Sequence, residues 1–358
     1  MQTFDYLIVG QGIAGTSVAW HLHWANKKIL IIDDPQLPCS TRVAAGIFNP
    51  VTGRKLVKTW LADELFPYAK SFYQRIERSL ETTFYHPMEM YRPFRNEAEK
   101  ERYLSLAKEE SHQPYISTAQ TDYPSSELIH APLDGITIKQ AGWVDLPNFL
   151  DQSRNYFEKL GSYLPAHFST QDLTVADDGV LWQNLRFGAV INCMGVGAEQ
   201  EKLFNWLPFN PVKGQIIDCF MPGYDLNTIV NQGIFILPQS EEMVRVGATY
   251  SWHDLDWNTS QEGRAYLDDK LRKLVKRPYK IIAQQAGIRP SSKDRRPFVG
   301  RHPQHERIYI LNGLGTKGVT LAPYFAGQLT KMLLFDEELH PDVNINRYFS
   351  LYSNPGSM

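Results

Sequence analysis

The chain has 358 residues, and this length predicts about two domains with a substantial hydrophobic core. Its 43% hydrophobic and 21% charged residues, with Gly and Pro near average usage, exclude a disordered, collagen-like or disulfide-scaffold protein. A formal net charge of -2 at pH 7 gives no global attraction to nucleic acid or to an anionic membrane.

The sequence also bears on location. No apolar run approaches the ~20 residues of a membrane helix, so we expect no membrane span. The N-terminus has no basic leader of the kind that begins a signal peptide. The three cysteines, Cys39, Cys193 and Cys219, are scattered and odd in number, which fits a reducing compartment. We therefore expect a cytoplasmic protein.

The chain begins with the pattern of a parallel β–α–β unit. Buried strands are predicted over residues 4–9 and 28–32, and a helix over residues 14–24 lies between them. Residues 39–50 are rich in Ser, Thr, Ala and Gly and predict a loop, and residues 61–80 predict a long helix.

The middle of the chain has a different composition. Residues 84–135 are aromatic and proline-bearing, with one charged helix predicted near residues 96–110. Another helix is predicted over residues 146–160, with Asp145 as its N-cap. An Asp-Asp-Gly turn at residues 177–179 then predicts a hairpin. The strands predicted around this turn are 173–175, 180–182 and 187–192.

The last part of the chain predicts a further set of strands and closes with a strand–loop–helix unit. A basic helix is expected over residues 262–276. A glycine-rich loop, residues 313–318, joins the last strand to a final helix at residues 319–334. The predicted strands are 212–220, 233–237, 243–250 and 308–312.

Together these elements predict an α/β fold in which one domain interrupts another. The first is a Rossmann-like dinucleotide-binding domain, expected to be discontinuous over residues 1–83, 140–205 and 285–358. The second is an inserted antiparallel-sheet substrate domain of α+β type, expected over residues 84–139 and 206–284.

Residues 10–15, Gly-Gln-Gly-Ile-Ala-Gly, form a G-x-G-x-x-G motif between the first strand and the first helix. Gly10 allows a tight turn, Gly12 lets the backbone approach a pyrophosphate, and Gly15 lets helix and strand pack closely. Asp33 stands 18 residues after Gly15, where its carboxylate can accept from ribose hydroxyls and repel a 2′-phosphate. The motif predicts a bound dinucleotide other than NADP; a glycine turn in an ordinary crossover is the structural alternative.

The first motif does not separate NAD from FAD, but the C-terminal part of the chain does. The glycine loop at residues 313–318 opens the final helix. A helix N-terminus there can hold the pyrimidine oxygen of a flavin and stabilise the anionic reduced ring. We therefore predict FAD, with a strand–loop–helix that serves only the sheet as the alternative.

With these segments the sequence resembles the D-amino-acid oxidase superfamily of FAD-dependent amine oxidoreductases, which includes glycine and sarcosine oxidases. The resemblance extends over nearly the whole chain in the family's order. It implies non-covalent FAD, because no cysteine occurs in the C-terminal flavin loop. The resembling segments are residues 10–15 with Asp33, 40–46, 190–195, 211–215, 246–250, 287–300 and 312–323.

The motifs and the resemblance together predict the cofactor site. Arg42, after the second strand, is expected to reach phosphate or flavin, and Lys317 to lie near the pyrimidine ring; solvated or structural roles are the alternatives. The full predicted set is Gly10, Gly12, Ile13, Ala14, Gly15, Asp33, Thr41, Arg42, Ala45, Gly46, Asp172, Gly195, Gly313, Gly315, Lys317, Gly318, Val319 and Thr320.

Two subfamilies share these features. Residues 286–290 with 300–303 are similar to glycine oxidases. Residues 213–215, 247–250 and 313–320 are similar to the flavin domain of the bifunctional tRNA wobble-uridine methylaminomethyl enzyme, although we expect no fused methyltransferase domain here.

The resemblance implies oxidation of a C–H bond next to an amine, with hydride passing to the flavin. The predicted substrate is glycine, an N-substituted glycine or another small amino acid. The first alternative is removal of a carboxymethyl group from carboxymethylaminomethyl-uridine in tRNA. The second is a flavin-binding protein without turnover. The sequence makes no prediction of the oligomeric state.

Arg289 is the predicted anchor of the substrate carboxylate, since a guanidinium binds a carboxylate through two parallel N–H bonds. Glycine oxidases use the arginine at this motif position in this way. Pairing of Arg289 with a nearby acid or carbonyl is the structural alternative. Tyr250, at the end of a predicted strand, is expected to donate its hydroxyl to the same carboxylate, with packing as its alternative role.

Two basic clusters are the one local indication of RNA. Phosphate contact is one interpretation, and a solvated helix face is the other. His302 and His305 lack a cysteine or acid partner in the sequence, so no metal site is predicted. The clusters are Lys270, Arg272, Lys273, Lys276, Arg277 and Lys280, and Lys293, Arg295, Arg296 and Arg301.

Overall fold

The computed structural model of the chain describes residues 1–118, 125–176 and 178–353. Within the described residues the α-helices are α1 Ile13–Trp24, α2 Ser40–Val43, α3 Ala62–Leu80, α4 Glu97–Leu106, α5 Ser125–Leu128, α6 Leu146–Lys159, α7 Gln261–Leu274, α8 Gly318–Phe335 and α9 Phe349–Ser353. Short 3-10 helices occur at Thr170–Asp172, Gly195–Glu199 and Ile345–Tyr348.

The strands fall into two large and two small sheets. In chain order they are β1 Gln2–Val9, β2 Ile29–Asp33, β3 Ile47–Phe48, β4 Val51–Thr52, β5 Val57–Lys58, β6 Tyr85–Pro87, β7 Met90–Pro93, β8 Ile116–Ser117, β9 Gly135–Ile138, β10 Gly142–Val144, β11 Tyr163–Pro165, β12 Leu173–Ala176, β13 Gly179–Trp182, β14 Leu185–Asn192, β15 Val212–Phe220, β16 Ile229–Asn231, β17 Phe235–Pro238, β18 Met243–Gly247, β19 Lys280–Arg289, β20 Phe298–Arg301 and β21 Ile308–Asn312.

The first large sheet is parallel at its centre. Its parallel strands run in the order β11-β2-β1-β14-β21, and β12, β13 and β20 add antiparallel neighbours. The strand order reverses between β1 and β14, and ligands of open α/β sheets bind outside the carboxyl ends of the strands at such a point. The glycine motif follows β1 directly, so it lies at this edge.

Both faces of this sheet are buried, as expected for parallel strands. On β1, Ile8 packs in the core that contains α1 and α8, whereas Leu7 and Val9 pack on the opposite face with Trp182. The helix α1 is accordingly apolar on most sides, with Val18 fully buried. This burial fixes the start of α1 against the end of β1.

The second large sheet is mainly antiparallel, in the order β19-β15-β18-β17-β16-β7-β9-β8, with one parallel pair between β16 and β7. Alternate residues face opposite ways. Val230 and Ile236 pack against Leu267 of α7, whereas Asn231 and Phe235 line a large cavity on the other face. One face of the sheet therefore closes a core, and the other forms the floor of the cavity.

Most predicted elements are confirmed to within a few residues. The strands at 4–9 and 28–32 and the helices at 14–24 and 146–160 correspond to β1, β2, α1 and α6. Asp145 is the N-cap of α6, since its carboxylate accepts from the Asn148 N–H at 3.2 Å. Of the predicted turn at 177–179, the first residue lies outside the described part of the chain.

Several predictions were wrong in detail. The loop predicted at residues 39–50 contains α2 and β3, because Ser40 and Gly46 are held by contacts from β19 and Val144. The strand predicted over 243–250 ends at Gly247, because Ser251 turns back to pair with Lys213. The ten-residue strand β19 was not predicted.

Strands of the parallel sheet come from the first, middle and last parts of the chain, and those of the second sheet from the segments between them. The exact domain bounds stay a prediction; the bound drawn between residues 284 and 285 falls within β19. Among the described residues, no helix has the length and apolar character needed to cross a bilayer.

Candidate functional site

A cavity of about 1700 Å³ is lined by residues of both large sheets. It extends from the glycine motif after β1 to Arg289 at the end of β19. Ligand pockets usually measure ~300–1,000 Å³, so this cavity has room for more than one bound molecule.

The glycine motif forms the first end of the cavity. Gly10 has φ +98°, and a Cβ there would lie 2.7 Å from the Cys193 carbonyl oxygen. A Cβ on Gly15 would overlap the Gly10 carbonyl oxygen, so α1 and β1 can meet this closely only at glycine. Gly12 lies at the N-cap of α1 and lines the cavity. Backbone N–H groups at this helix start form a site that suits a phosphate.

Asp33 lies beside this motif, and neighbouring groups of the chain fix the position of its carboxylate. The Gln11 N–H donates to Asp33 Oδ1 at 2.8 Å, and the Arg154 guanidinium lies 3.6 Å from Asp33 Oδ2. Arg154 also donates to Gln11 Oε1 at 2.9 and 3.1 Å. The Asp33 carboxylate is therefore oriented while still lining the cavity, which suits a ribose-binding group.

The short helix α2 connects the two ends of the cavity. Thr41 Oγ1 accepts from the Ile13 N–H at 3.1 Å, at the start of α1. Ser40 Oγ donates to the Ile288 carbonyl on β19. Arg42 lies 2.5 Å from Asp151 Oδ1, and this hydrogen bond raises the pKa of Arg42. Arg42 therefore has a carboxylate partner while it lines the cavity.

The second glycine loop borders the cavity opposite the first. Gly315, with φ +54°, donates its N–H to the Pro290 carbonyl at 3.0 Å, and Ser291 forms a bridge to Leu314. The first turn of α8 has no acidic residue, so its positive end is unopposed there. This arrangement suits the electron-rich edge of a flavin ring.

Lys317 stands at the N-cap of α8 and lines the cavity. Its Nζ donates to Thr59 Oγ1 at 3.2 Å. Burial lowers the pKa of Lys317, and the positive charges of Arg296 and Arg295 lower it further. A negative group in the cavity would relieve this repulsion, so the loop is suited to bind an anionic ring.

Arg289 forms the far end of the cavity. Its guanidinium lies over Gly214, and its hydrogen-bond acceptors are the carbonyls of Lys213 and Thr249, each at 3.4 Å. No carboxylate within the described residues pairs with Arg289. Burial lowers the pKa of Arg289, and the nearby Tyr250 opposes this shift. A half-buried guanidinium without an acidic partner is suited to bind a substrate carboxylate.

Tyr250 lies next to Arg289. It follows β18, which ends at Gly247, and is not the last residue of a strand as predicted. The Arg289 guanidinium carbon is 4.5 Å from the centre of the Tyr250 ring. The tyrosine is 57% exposed at the mouth of the cavity, so it is not a core packing residue. Trp252, 55% exposed, and Tyr266, 45% exposed, lie in the same part of the chain.

The structure brings most of the predicted site residues to this one cavity. Three do not line it: Gly15 packs under the first motif, Gly313 packs against Phe298, and Asp172 is exposed on a 3-10 helix. Those that line it are Gly10, Gly12, Ile13, Ala14, Asp33, Thr41, Arg42, Ala45, Gly46, Gly195, Tyr250, Arg289, Gly315, Lys317, Gly318, Val319 and Thr320.

Sequence reasoning missed several residues of the site. Arg154 reaches Asp33 from α6, and Gly214 leaves the space that the Arg289 guanidinium occupies. The only signal for Gly214 was its place in a family-like segment. Arg92 also lines the cavity, and no motif marks it.

The basic helix gives limited support to RNA binding. Arg272 and Lys273 of α7 pair with Asp268 and Asp269 on the same helix, so much of its charge is balanced. Lys270 and Lys273 nevertheless line the cavity. Within the described residues, no group of three or more His, Cys, Asp or Glu side chains is arranged to hold a metal.

Comparison with known proteins identifies relatives over most of the chain. A family model described as FAD dependent oxidoreductase matches residues 5–332. Glycine oxidase from Bacillus licheniformis is 32% identical over 131 residues, covering 35% of this chain and 35% of that protein. A tRNA 5-methylaminomethyl-2-thiouridine biosynthesis bifunctional protein from Marinobacter nauticus is 24% identical, covering 91% of this chain and 55% of that protein. The matches thus span about a third and about half of these relatives' lengths.

Solved structures show the same fold. Glycine oxidase from Geobacillus kaustophilus superposes with a TM-score of 0.78 at 18% identity, covering 97% of this chain and 98% of the other. Iminodiacetate oxidase from Chelativorans sp. BNC1 superposes with a TM-score of 0.75 at 22% identity, covering 96% and 98%. The mixed α/β fold expected from the sequence is thereby confirmed.

Proposed function

Because the chain belongs to the family of FAD-dependent oxidoreductases, we propose that it oxidises the C–N bond of a small amino acid or an N-substituted glycine. The observation that carries this proposal is Arg289, a half-buried guanidinium that faces the cavity with no carboxylate partner in the described chain. Glycine, sarcosine and small D-amino acids are the substrates of this class that we propose first.

In this proposal the protein holds FAD non-covalently along the first half of the cavity. The start of α1 and Gly12 face the pyrophosphate, and Asp33 accepts from the ribose hydroxyls. Lys317 and the N-terminus of α8 face the pyrimidine edge of the ring. The bound flavin supplies the redox chemistry, as acceptor of a hydride from the carbon next to the amine.

The remaining residues position the substrate. The Arg289 fork donates two N–H bonds to the substrate carboxylate, and the Tyr250 hydroxyl donates a third bond. These contacts hold the α-carbon at a fixed height above the ring site. No side-chain base is required in this scheme, because the amine binds in its neutral form.

Anaerobic mixing of the purified holoprotein with glycine, sarcosine and small D-amino acids tests the proposal. A substrate bleaches the flavin absorbance because the bound ring takes up the hydride. If no member of the panel bleaches the flavin, the small-substrate function is wrong.

A second candidate function is removal of a carboxymethyl group from carboxymethylaminomethyl-uridine in tRNA. The bifunctional tRNA-modifying relative matches 91% of this chain, whereas the glycine oxidase relative matches 35%. Two exposed aromatic side chains that line the cavity, Tyr250 and Tyr266, favour an unpaired base near the cavity mouth. Deletion of the gene, followed by nucleoside analysis of tRNA, distinguishes the two; an unchanged nucleoside profile removes this candidate.

The three cysteines are unpaired, and Cys193 and Cys219 are buried. We keep a cytoplasmic location as part of the proposal on this basis.

A further inference from the structure

Three arginines line the cavity on the opposite side of its floor from Arg289. Arg92 is on β7, Arg95 follows that strand, and Arg54 is in the loop between β4 and β5. The proposed function uses none of them. They form what we call the distal arginine cluster, defined as Arg54, Arg92 and Arg95.

Arg92 is buried and forms no ion pair with a carboxylate of the described residues. It is 5% exposed, and its Nη2 donates to the Gly53 carbonyl and to the Tyr103 hydroxyl, both at 3.1 Å. Burial lowers the pKa of Arg92, while Tyr103 and Glu99 oppose the shift. A guanidinium carries five N–H donors, so these two bonds leave most of its donor capacity for another acceptor.

Glu99 is the one carboxylate within ion-pair distance of the distal arginine cluster among the described residues. Its Oε2 lies 4.0 Å from Arg95 Nε, and its Oε1 accepts from the Tyr103 hydroxyl at 2.8 Å. One negative charge therefore faces three positive charges. Excess positive charge at the wall of a cavity attracts an anion.

The cluster has a defined geometry. The Arg54 carbonyl accepts from Arg102 Nη2 at 2.5 Å, which fixes the loop to α4, and it lies 3.1 Å from the Tyr103 hydroxyl, whose single proton is donated to Glu99. Arg92 donates to the same loop at Gly53. A loop held in this way keeps Arg54 on the cavity wall, so its position does not depend on the ligand alone.

The strand order of the second large sheet gives the distance between the distal arginine cluster and Arg289. The Arg289 guanidinium lies over Gly214 on β15, and β7 lies four strands away in the order β15-β18-β17-β16-β7. At ~4.8 Å per strand, the two positions are roughly 19 Å apart along the floor, less the reach of the side chains. Ile216, Phe235 and Asn231 line the floor between them.

We propose that the distal arginine cluster binds a second anionic group of the substrate, a carboxylate or a phosphate, at the end away from Arg289. The substrate is then an extended molecule with a glycine-like end and an anionic tail. This inference rests on the proposed function for the glycine-like end alone. The apolar floor at Ile216 and Phe235 accommodates the part between the two ends.

Substrate analogues of graded length test the proposal in the holoenzyme. Glycines carrying an N-alkyl chain that ends in a carboxylate, a phosphate ester or a hydroxyl are compared, with flavin reduction as the readout. We expect KM to be about tenfold lower or more for the anionic tails at the matching length. The tail with the larger gain identifies the anion; equal KM for all three tails at every length overturns the proposal.

Variants locate the effect. Arg54→Ala and Arg95→Ala should each raise KM for the anionic tails about tenfold, with KM for the hydroxyl tail unchanged. Lys55→Ala is the matched control, because this exposed lysine lies in the same loop and does not line the cavity. An equal effect of Lys55→Ala, or an equal rise for the hydroxyl tail, contradicts the assignment.

Calorimetric titration of the oxidised holoenzyme with inorganic phosphate separates this inference from the proposed function. Binding should persist in Arg289→Ala and weaken about tenfold in Arg54→Ala. If no glycine derivative is oxidised but this pattern is found, the cluster stands and the proposed reaction fails. Phosphate binding that is absent, or that is indifferent to Arg54, overturns the cluster assignment.

Discussion

The two ends of the cavity are built in different ways. At the proposed cofactor end the backbone forms the site, with glycines where a Cβ would overlap a neighbouring carbonyl and with two helix N-termini facing the cavity. At the proposed substrate end side chains from separate strands form the site, as with Arg289 lying over Gly214. A backbone-built site leaves a local motif in the sequence, whereas a side-chain-built site is assembled by strand pairing.

The largest expected effect is at Gly15, where a substitution tests whether the backbone forms the proposed cofactor end. In Gly15→Ala the new Cβ would overlap the Gly10 carbonyl oxygen, so α1 must move away from β1. We expect loss of bound FAD together with a large loss of thermal stability, measured by flavin absorbance and melting of the same preparation. Gly12→Ala is the control: its Cβ lies 3.3 Å from Thr41 Oγ1 and faces the cavity, so it should weaken FAD binding with little change in stability. If both variants lose thermal stability equally, the close contact of α1 with β1 at Gly15 does not explain the loss.

The next test concerns the side-chain end. Arg289→Lys loses the forked geometry, and we expect KM for a carboxylate substrate to rise about 10- to 150-fold, from the ~1.5–3 kcal/mol of a charged hydrogen bond. FAD content should not change. Gly214→Ala should reproduce much of the rise, because its Cβ would occupy the space of the guanidinium while no charge is removed. Loss of FAD in parallel with KM would make Arg289 a structural residue.

Acid sensitivity should also differ between the helix that follows the first glycine motif and the side of the molecule that carries Arg289. His21 of α1 donates from Nδ1 to the Ser17 carbonyl and accepts from the Tyr68 hydroxyl, and burial lowers its pKa from 6.5 to about 4. The unfolded chain therefore binds the extra proton first, so the stabilisation is complete above pH 6.5 and is lost as pH falls toward 4. By linkage the full loss is about 3 kcal/mol.

Chemical denaturation across this pH range measures the loss. His21→Gln should flatten the profile, whereas His253→Gln, at an exposed histidine of the substrate side, should leave it unchanged. An unchanged profile in His21→Gln would remove His21 as the cause.

The smallest expected effect is at the connection between the two ends. Ser40 Oγ donates to the Ile288 carbonyl next to Arg289, so Ser40 is a positioning residue. In Ser40→Ala the loss of about 1 kcal/mol should raise KM about fivefold, with kcat and FAD content nearly unchanged. Ser40→Thr keeps the hydroxyl and should restore KM. A fall in FAD content without a rise in KM would show that Ser40 serves the cofactor end instead.

This contrast also explains what the sequence predicted. The use of FAD, expected from the two glycine loops, and the family, expected from the resemblance of several segments, are confirmed by the match over residues 5–332. Asp33 was recognised because its spacing from the motif is set within one β–α–β unit. The individual site residues stay predictions, although most of them line one cavity.

The missed features all depend on contacts distant in sequence. The strand β19 was not predicted because it is an edge strand on which the apolar Ile282 is exposed, so its sequence lacks a polar–apolar alternation. Arg92 reaches the cavity only through the pairing of β7 with β16. Neither pairing leaves a local pattern that periodicity or spacing can detect.

The bridge from Ser291 to Leu314 has a consequence for substrate range. Two residues after Arg289 the chain is already hydrogen-bonded to the second glycine loop, so the proposed carboxylate anchor and the proposed ring site share one rigid backbone. In the proposed reaction that backbone fixes the distance between the group that holds the carboxylate and the position of the oxidised carbon. We therefore expect related proteins with this bridge to differ in substrate because residues of the floor and the distal wall differ, while this distance stays the same.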